Sequence, residues 1–340
     1  EVTVTAAGNL WAGMAGEGEG FVIVGSHVDS VPAGGWLDGS LGVFTAVTGV
    51  SGAGKSRLVN GRGGSKVAIV SPKVQTTRMR VNGIAMTDLA DGSRAQLVLV
   101  DTPGIFRIAK RRLERAMVAA AWQGADDADL VAIVVDAERG VGPETEAIVE
   151  RLKEQGAPRF LILNKIDLVP REKLLALAAE VNARLPFERT FMVSALKNDG
   201  VQDILTTLAA ALPEGPFLYP EDQAADLPLR LLAAEVTREQ VFLQLHQELP
   251  YEAAVETDKW EDRTDGSTRI EQTIHVQREG QRAIVLGKGG TKIRQIGARA
   301  RHELGKMLER PVHLFLHVKV SERWADDPAH YRAIGLDYEP

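Results

Sequence analysis

Three short apolar runs lie in the middle of this 340-residue chain, over residues 97–100, 130–135 and 160–163, and each is followed at once by polar residues. Continuous apolar runs of this length are typical of strands that are buried on both faces of a sheet. Strand and helix patterns alternate from about residue 43 to residue 212, which predicts a doubly wound α/β sheet. The polar residues that end its strands are therefore expected to meet at one edge.

A different pattern occupies the last third of the chain. Apolar and polar residues alternate over 269–277, and a second strand pattern covers 312–320. Between them a helix is predicted because apolar residues recur at helical spacing, at Ile293, Ile296, Ala300, Leu304 and Leu308. We predict that a linker over 213–226 leads to a smaller α+β domain over 227–320, which opens with a helix over 227–248 and is followed by a tail over 321–340.

Composition sets limits on the class of protein. With 44% hydrophobic and 25% charged residues, the chain has the composition of an ordinary globular protein. It has no cysteine, which excludes disulfides and thiolate metal sites and fits a reducing cytosol. The apolar runs are too short to cross a bilayer, and we expect no signal peptide. The formal net charge of -6 hides a basic stretch over 278–310, in which nine Lys and Arg residues face three Glu residues.

The first of four short motifs ends an apolar run and matches the pattern G-x-x-x-x-G-K-[ST]. Its glycines let backbone N–H groups turn inward around phosphate oxygens, and the helix N-terminus that follows adds a favourable dipole. Lys55 reaches the outer phosphates, and the Ser56 hydroxyl is a ligand for Mg²⁺. The predicted phosphate-binding residues are Gly49, Gly52, Ala53, Gly54, Lys55 and Ser56.

Three further motifs follow in a fixed order. Asp101 opens Asp-Thr-Pro-Gly, which ends at Gly104, and its carboxylate at the end of a strand can hold the metal. Asp167 ends Asn-Lys-Ile-Asp, and it can accept hydrogen bonds from N1–H and the exocyclic amine of guanine, a pair of donors that adenine lacks. The predicted base-binding residues are Asn164, Lys165 and Asp167 of this motif, and Ser194, Ala195 and Leu196, which form the fourth motif. Together the four motifs predict a switch protein that binds GTP or GDP with Mg²⁺.

The basic stretch contains the second candidate site. Two predicted helices flank a tight G-x-x-G turn, and a strand follows them, which is the pattern of a KH module. Glycines in such a turn allow close approach of a sugar-phosphate backbone. The predicted RNA-binding residues are Gly287, Lys288, Gly289, Gly290, Lys292 and Arg294.

A switch GTPase followed by a KH domain resembles the Era family of bacterial GTPases, and the resemblance runs from about residue 67 to residue 338. It is closest over 66–78, which is similar to the first switch of the family and implies Thr77 as the metal-sensing threonine, with Thr76 as the alternative. The tail residues 324–328 also resemble the family.

The resemblance implies the fold and the function. It implies Mg²⁺-dependent GTP hydrolysis that is coupled to binding of the 3′ end of small-subunit ribosomal RNA in assembly of the 30S subunit. Lys55, Thr77 and Gly104 would then be the catalytic residues. It further implies a cytoplasmic protein that associates peripherally with the inner membrane, and we expect a monomer.

Some positions depart from the family pattern. Gly52 stands where the family has an asparagine that helps to hold a monovalent cation. Glycines at 61, 63 and 64 each cost a helix about 1 kcal/mol relative to alanine, so the helix after Ser56 should end early. Ile105 stands where Ras-type switches place a water-orienting glutamine, so we expect slow intrinsic hydrolysis. A KH protein whose nucleotide domain binds without turnover, and a non-functional chimera, are therefore the alternative interpretations.

The first 42 residues do not resemble the Era family. Residues 25–39 instead resemble the first metal motif of the dinuclear zinc amidohydrolases, which include the carbamoylases, and there the residues that match His27 and Asp38 bind metal. A dinuclear centre needs further ligands and a general base, and the resemblance stops near Val43. We therefore expect no working zinc site, and the chain resembles a join of unrelated sequences.

Overall fold

In the computed structural model the residues described are 2–4, 10–12, 42–49, 53–60, 77–89, 91–105, 109, 111–211, 217–221, 223, 225–245, 253–322, 324–334 and 336–338. The chain divides into two units, Glu1–Asp38 and Gly39–Pro340. In the first unit, β1 (Val2–Val4) pairs antiparallel with β2 (Leu10–Ala12). His27 and Asp38, on which the predicted metal motif rests, lie outside the described residues.

The second unit begins with a seven-stranded sheet in the order β8-β7-β6-β3-β5-β4-β9. The strands are β3 (Gly42–Gly49), β4 (Val81–Asp88), β5 (Arg94–Asp101), β6 (Leu130–Asp136), β7 (Arg159–Asn164), β8 (Arg189–Val193) and β9 (Ala225–Asp226). Strands β3 and β5 to β8 are parallel, whereas β4 runs antiparallel to β5 and to β9. The predicted doubly wound α/β sheet is confirmed, with an antiparallel edge added on one side.

Helices accompany this sheet along the described chain: α1 (Lys55–Val59), α2 (Arg112–Asp126), α3 (Pro143–Leu152), α4 (Arg171–Arg184) and α5 (Val201–Ala211). Helices α1 and α5 cover one face, where Leu58 and Leu205 line an apolar cavity together with Leu99. Helix α2 covers the other face, because Gly124 approaches the side chain of Val100. The apolar runs of β5, β6 and β7 are buried between these two layers.

The segment predicted as a linker over 213–226 is held against the sheet wherever the structure describes it. The backbone N–H groups of Leu218 and Tyr219 each donate to Gln96 Oε1 at 2.9 Å, and Gln96 Nε2 donates to the Tyr219 carbonyl at 2.7 Å. Residues 225–226 then pair with β4. The linker bounds stay a prediction, and the returning chain satisfies backbone groups at the edge of β4 that would otherwise lack partners.

The smaller domain follows as α6 (Leu229–Gln244), β10 (Ala254–Asp262), β11 (Thr268–Val276), α7 (Glu279–Leu286), α8 (Thr291–Met307) and β12 (Val312–Val320). Strands β10 and β11 are antiparallel, and β11 and β12 are parallel. The helix predicted over 227–248 was too long: α6 ends at Gln244, and Leu245 is extended. The predicted order of strand, helix, glycine turn, helix and strand is confirmed.

The tail lies against both domains. It contains a short 3₁₀ turn, Trp324–Asp326, and α9 (Pro328–Ala333). Trp324 and Tyr331 are buried in one apolar cluster with Met117 of α2 and Ala254 of β10. In the part of the chain that the structure describes, no helix is both long and apolar enough to cross a membrane.

Candidate functional site

The phosphate loop connects β3 to α1. At Gly49 the backbone has φ +148°, and a Cβ there would lie 2.4 Å from the Val134 carbonyl oxygen, so only glycine fits. Gly54 has φ +94° and directly precedes α1. Lys55 is 6% exposed, and its Nζ donates to the Gly49 carbonyl at 3.2 Å. The lysine therefore lies along the inside of the loop, whereas Gly52 lies outside the described residues.

The three predicted metal ligands come together beside this lysine. Ser56 Oγ lies 2.8 Å from Thr77 Oγ1, and Thr77 Oγ1 donates to Asp101 Oδ2 at 3.2 Å. Asp101 is fully buried, and its other carboxylate oxygen, Oδ1, has no hydrogen-bond partner among the described residues. Two hydroxyls and an orphaned carboxylate oxygen form a donor set that suits Mg²⁺, which prefers oxygen ligands. Thr76, the alternative threonine, lies outside the described part of the chain.

Burial shifts the pKa values of the two charged residues of this site. Burial lowers the pKa of Lys55, and the nearby charge of Asp101 opposes that shift. Burial likewise raises the pKa of Asp101, against the opposing effects of Lys55 and of hydrogen bonds from Ser56 and Thr77. A phosphate beside the lysine and a cation beside the carboxylate would each favour the charged form. The site is therefore suited to a ligand that brings both charges.

Asn164 joins the phosphate loop to the base-binding loops. It ends β7 and is 2% exposed. Its Nδ2 donates to the Ala53 carbonyl at 2.8 Å, and its Oδ1 accepts from the Ala195 N–H at 2.9 Å. Its amide therefore links the phosphate loop to the two base-binding motifs, and with the contact of Ser56 and Asp101 the structure brings all four sequence motifs together.

The remaining base-binding candidates surround Asp167. Asp167 lies in a 3₁₀ turn, Ile166–Leu168, and Lys197 Nζ is 3.7 Å from its Oδ2. A hydrogen bond from Ser194 lowers the pKa of Asp167, so this carboxylate is an acceptor at neutral pH. Leu196 is exposed, and its side chain takes no part in the core. The Asp167 side chain is 10% exposed, so this carboxylate is held on its turn by the contacts with Ser194 and Lys197.

One buried polar residue at this edge of the sheet was not predicted from the sequence. Asp136 ends β6 and is 1% exposed, and it forms an ion pair with Lys165. Lys165 has φ +66°, an uncommon conformation for a side chain other than glycine, and the ion pair stabilises it there. The signal was present, because Asp136 directly follows the apolar run over 130–135 at the same sheet edge.

Gly104 and Ile105, which follow Asp101 in the chain, are the positions that bear on GTP hydrolysis. Gly104 is buried in the segment that follows β5. Ile105 is 4% exposed, packs in the main apolar core, and donates its N–H to the Gly49 carbonyl at 3.4 Å. Its side chain is therefore turned into the core and offers no polar group to a water molecule.

The glycine turn of the smaller domain is open. Gly287, Gly289 and Gly290 all have positive φ, between +60° and +74°, and a Cβ on either of the last two would meet nothing within 4 Å. Arg294 folds back on the turn, donating to the carbonyls of Gly289 at 2.7 Å and Gly290 at 3.1 Å. This arginine braces the turn, a contact that the sequence did not reveal.

The lysines of the turn point differently from Arg294. Lys288 is exposed and Lys292 is half-buried, and neither forms an ion pair with a described acidic residue. The predicted RNA-binding residues are thus collected on one exposed, positively charged turn.

Comparison with known proteins agrees with both domains. Residues 44–165 match the family described as 50S ribosome-binding GTPase, and residues 248–325 match the KH domain family. The GTPase Era of Afipia carboxidovorans is 57% identical over 295 residues, which cover 87% of this chain and 94% of that protein. The GTPase Era of Rhizobium meliloti is also 57% identical, over 87% of this chain and 92% of that protein. The chain belongs to the Era family of GTPases.

Solved Era structures share the fold. The crystal structure of a single-substitution variant of Aquifex aeolicus Era bound to GDP and AlF4⁻ matches with a TM-score of 0.81 and 37% identity, over 87% of this chain and 99% of that one. Era in complex with MgGDPNP and nucleotides 1506–1542 of 16S ribosomal RNA matches with a TM-score of 0.81 and 36% identity, over 88% and 99%. Membership of the Era family accounts for a GTPase domain and a KH domain in one chain.

Proposed function

We propose that this chain binds and hydrolyses GTP with Mg²⁺ and binds the 3′ end of small-subunit ribosomal RNA during assembly of the 30S subunit. The observation that carries the proposal is the buried contact of Ser56, Thr77 and Asp101 beside Lys55, in a chain whose exposed glycine turn is basic. The related Era structure with MgGDPNP and 16S ribosomal RNA supports both ligands.

Each residue group has a separate task in this proposal. Backbone N–H groups of the loop from Gly49 to Ser56 bind the phosphates, and the Lys55 ammonium holds the outer ones. Ser56, Thr77 and Asp101 hold Mg²⁺, which neutralises charge on the phosphate oxygens when it is bound. Lys55, Thr77 and the backbone of Gly104 are the candidate catalytic groups.

The base is read by the other two motifs. Asp167 accepts from the guanine, Asn164 keeps the base-binding and phosphate-binding loops in register, and Lys165 is positioned by Asp136. The loop of Ser194, Ala195 and Leu196 closes the base site. Because Ile105 lies in the core, no side chain at this position can orient an attacking water, and turnover is expected to be slow.

RNA binding is assigned to the glycine turn and its flanking helices. Gly289 and Gly290 leave room for a sugar-phosphate backbone, and Lys288 and Lys292 supply positive charge. We propose the domain boundaries 43–212 for the GTPase domain, 227–320 for the KH domain and 321–340 for the tail. Location in the cytoplasm, peripheral association with the inner membrane, and a monomeric state are proposed from the resemblance alone.

Thermal melting with GTP, with ATP and without nucleotide tests the proposal. A ligand that binds the folded state at 100 times its Kd stabilises it by about 2.7 kcal/mol, so GTP with Mg²⁺ should raise Tm by several degrees, while ATP should not. Equal shifts with the two nucleotides would contradict the base assignment.

Turnover separates the enzyme from the alternatives. Mg²⁺-dependent phosphate release from GTP is expected, whereas a binding-only nucleotide domain would show the melting shift without release. The buried Ile105 favours a low rate, which makes a long incubation necessary. A chain without a cooperative melting transition would instead be the non-functional chimera.

A further inference from the structure

The residue that follows Thr77 connects the metal site to the smaller domain. Arg78 is 3% exposed, and its Nη1 donates to the Ala253 carbonyl, at the start of the KH domain sheet, at 2.8 Å. Its guanidinium carbon lies 5.8 Å from the ring centroid of Phe242 in α6 and 5.6 Å from that of Trp324 in the tail. One arginine of the GTPase domain thus contacts three separate elements beyond the GTPase domain.

A buried guanidinium is costly unless it is hydrogen bonded, so these contacts determine where Arg78 lies. Burial and the neighbouring Arg238 lower the pKa of Arg78 to about 9, and Glu235 opposes that shift. The guanidinium is a cation, and the carbonyl and the two aromatic rings that the docked KH domain and tail provide stabilise it in this position.

The next residues along the chain are held by the same surface. Met79 is 2% exposed and Val81 is 4% exposed, and both pack against Leu227, Leu231 and Ile334. On the other side of Arg78, Thr77 is tied to Ser56 and Asp101. Thr77, Arg78 and Met79 are consecutive and buried, so the backbone that Arg78 and Met79 fix is the backbone that carries the Thr77 hydroxyl.

We propose that Arg78 is a positioning residue for the metal site. By binding the Ala253 carbonyl and the rings of Phe242 and Trp324, it holds the Thr77 hydroxyl at Ser56 and Asp101. This inference rests on the proposed role of Thr77 as a ligand of Mg²⁺. Because Mg²⁺ tolerates little deviation from octahedral geometry, its affinity then depends on whether Arg78 keeps the Ala253 carbonyl and the two rings as partners.

The test measures binding of a non-hydrolysable GTP analogue to the full chain at increasing Mg²⁺ concentration. Arg78→Met keeps an apolar side chain between the rings but removes the charge and the donor. It should raise the Mg²⁺ concentration at half-maximal binding about tenfold, since displacement of a positioned group by about 1 Å has effects of this size or larger. GDP binding in the presence of a chelator should stay within about twofold of the parent.

A double-mutant cycle with Thr77→Ala separates positioning from loss of stability. Thr77→Ala alone should also raise the half-maximal Mg²⁺ concentration. If Arg78 acts through Thr77, adding Arg78→Met to Thr77→Ala should change the value by no more than about twofold. If the increase in half-maximal Mg²⁺ concentration of the double variant equals the product of the increases of the two single variants, the inference is overturned. An unchanged half-maximal Mg²⁺ concentration for Arg78→Met alone would also overturn it.

Arg112 offers a matched control. It also bridges to the tail through a carbonyl and a ring, with Nη1 3.2 Å from the Tyr338 carbonyl and its guanidinium carbon 4.3 Å from the Tyr338 centroid. It lies on α2, outside the three metal ligands, so Arg112→Met should keep the Mg²⁺ requirement within about twofold of the parent. An equal increase for both variants would mean that any loss of docking acts on the metal, and would overturn the specific role of Arg78.

Two further variants keep the test decisive if Arg78→Met does not fold. Arg78→Lys retains a charged donor for the Ala253 carbonyl, and Trp324→Leu removes the tail ring that lies 5.6 Å from the guanidinium carbon. Each should raise the Mg²⁺ requirement by a smaller factor, about threefold, and each should lose that effect in the Thr77→Ala background. No change in either variant overturns the inference. If Thr77→Ala itself has no effect, the proposed metal role of Thr77 fails, and the inference fails with it.

Discussion

The phosphate loop and the G-x-x-G turn both place glycines at positive φ, but the two loops differ in what lies behind them. A Cβ on Gly54 would lie 2.4 Å from Nδ2 of Asn164, an amide that is itself held by Ala53 and Ala195. A Cβ on Gly289 would meet nothing within 4 Å. The phosphate loop is therefore held by a residue from a distant strand, whereas the G-x-x-G turn is braced by Arg294 of the helix that follows it and leaves open space beside Gly289.

The charged residues of the phosphate loop site are more buried than those of the G-x-x-G turn. Lys55 and Asp101 are buried, and their interaction is screened little by solvent. Lys288 is exposed on the open turn. We therefore expect nucleotide binding to depend on geometry and RNA binding to depend strongly on salt.

The largest expected effect is that of Gly54→Ala. The new methyl group meets the buried Asn164 amide, and the residue must adopt a left-handed φ, so GTP affinity should fall about a thousandfold. Gly92→Ala is the matched control, because Gly92 has φ +85° in the same domain with nothing within 4 Å. It should lose stability but keep its GTP affinity. Calorimetric titration with GTP measures both affinities. An equal loss of GTP affinity in the two variants would contradict the role of Asn164 in holding the phosphate loop.

Asp167→Asn is expected to have the next largest effect. The amide cannot accept from both donors of guanine, so GTP affinity should fall about a hundredfold, while xanthosine triphosphate, which has the complementary group, should bind more tightly. Competition between the two nucleotides measures the switch. Retained preference for GTP would exclude Asp167 as the base-reading residue.

At the RNA turn, Gly289→Asp should lower affinity for single-stranded oligonucleotides of the ribosomal RNA 3′ end at least tenfold, about 1.4 kcal/mol. The carboxylate would lie beside a phosphate, and GTP binding should not change. Gly266→Asp controls for backbone strain, because Gly266 has φ +79° and open space in the same domain. Filter binding at two salt concentrations would distinguish them. If both variants bind RNA as the parent does, the turn is not the RNA site.

The smallest effect is expected where charges are half exposed. His330 Nδ1 lies 3.1 Å from Glu256 Oε1, and His275 Nε2 lies 3.3 Å from Oε2. These contacts hold the pKa of Glu256 well below its usual range. A lowered pKa in the folded state adds stability above the unfolded pKa, about 4.3, and that stability is lost as the pH falls below it.

Glu256→Gln should therefore lower the free energy of unfolding at pH 7 by about 1 kcal/mol or less, because the side chain is 43% exposed. The gap in unfolding free energy between parent and variant should narrow below about pH 4, as Glu256 becomes protonated in the unfolded chain. Urea unfolding between pH 7 and about pH 3 measures it. A gap that fails to narrow at the acid end would contradict the assigned sign.

Much of the fold and of the candidate site is predictable from local pattern. The apolar runs of β5, β6 and β7 end at Asp101, Asp136 and Asn164, and parallel strands bring such ends to one edge. The glycine turn between α7 and α8 is also predictable from sequence, because the glycines lie between two segments with helix patterns. The end of α6 at Gln244 and the pairing of residues 225–226 with β4 did not follow, because tertiary contacts decide both.

What the sequence determined by itself was the chemistry: the residue types that bind phosphate, metal, guanine and RNA, and their order along the chain. Those follow from side-chain and backbone properties that do not depend on distant residues. Only the tertiary structure decided that Thr77 contacts both Ser56 and Asp101, and that Arg78 reaches a carbonyl 175 residues away. A buried charge must find whatever partner the packed domains supply, and sequence distance says nothing about which carbonyl that will be.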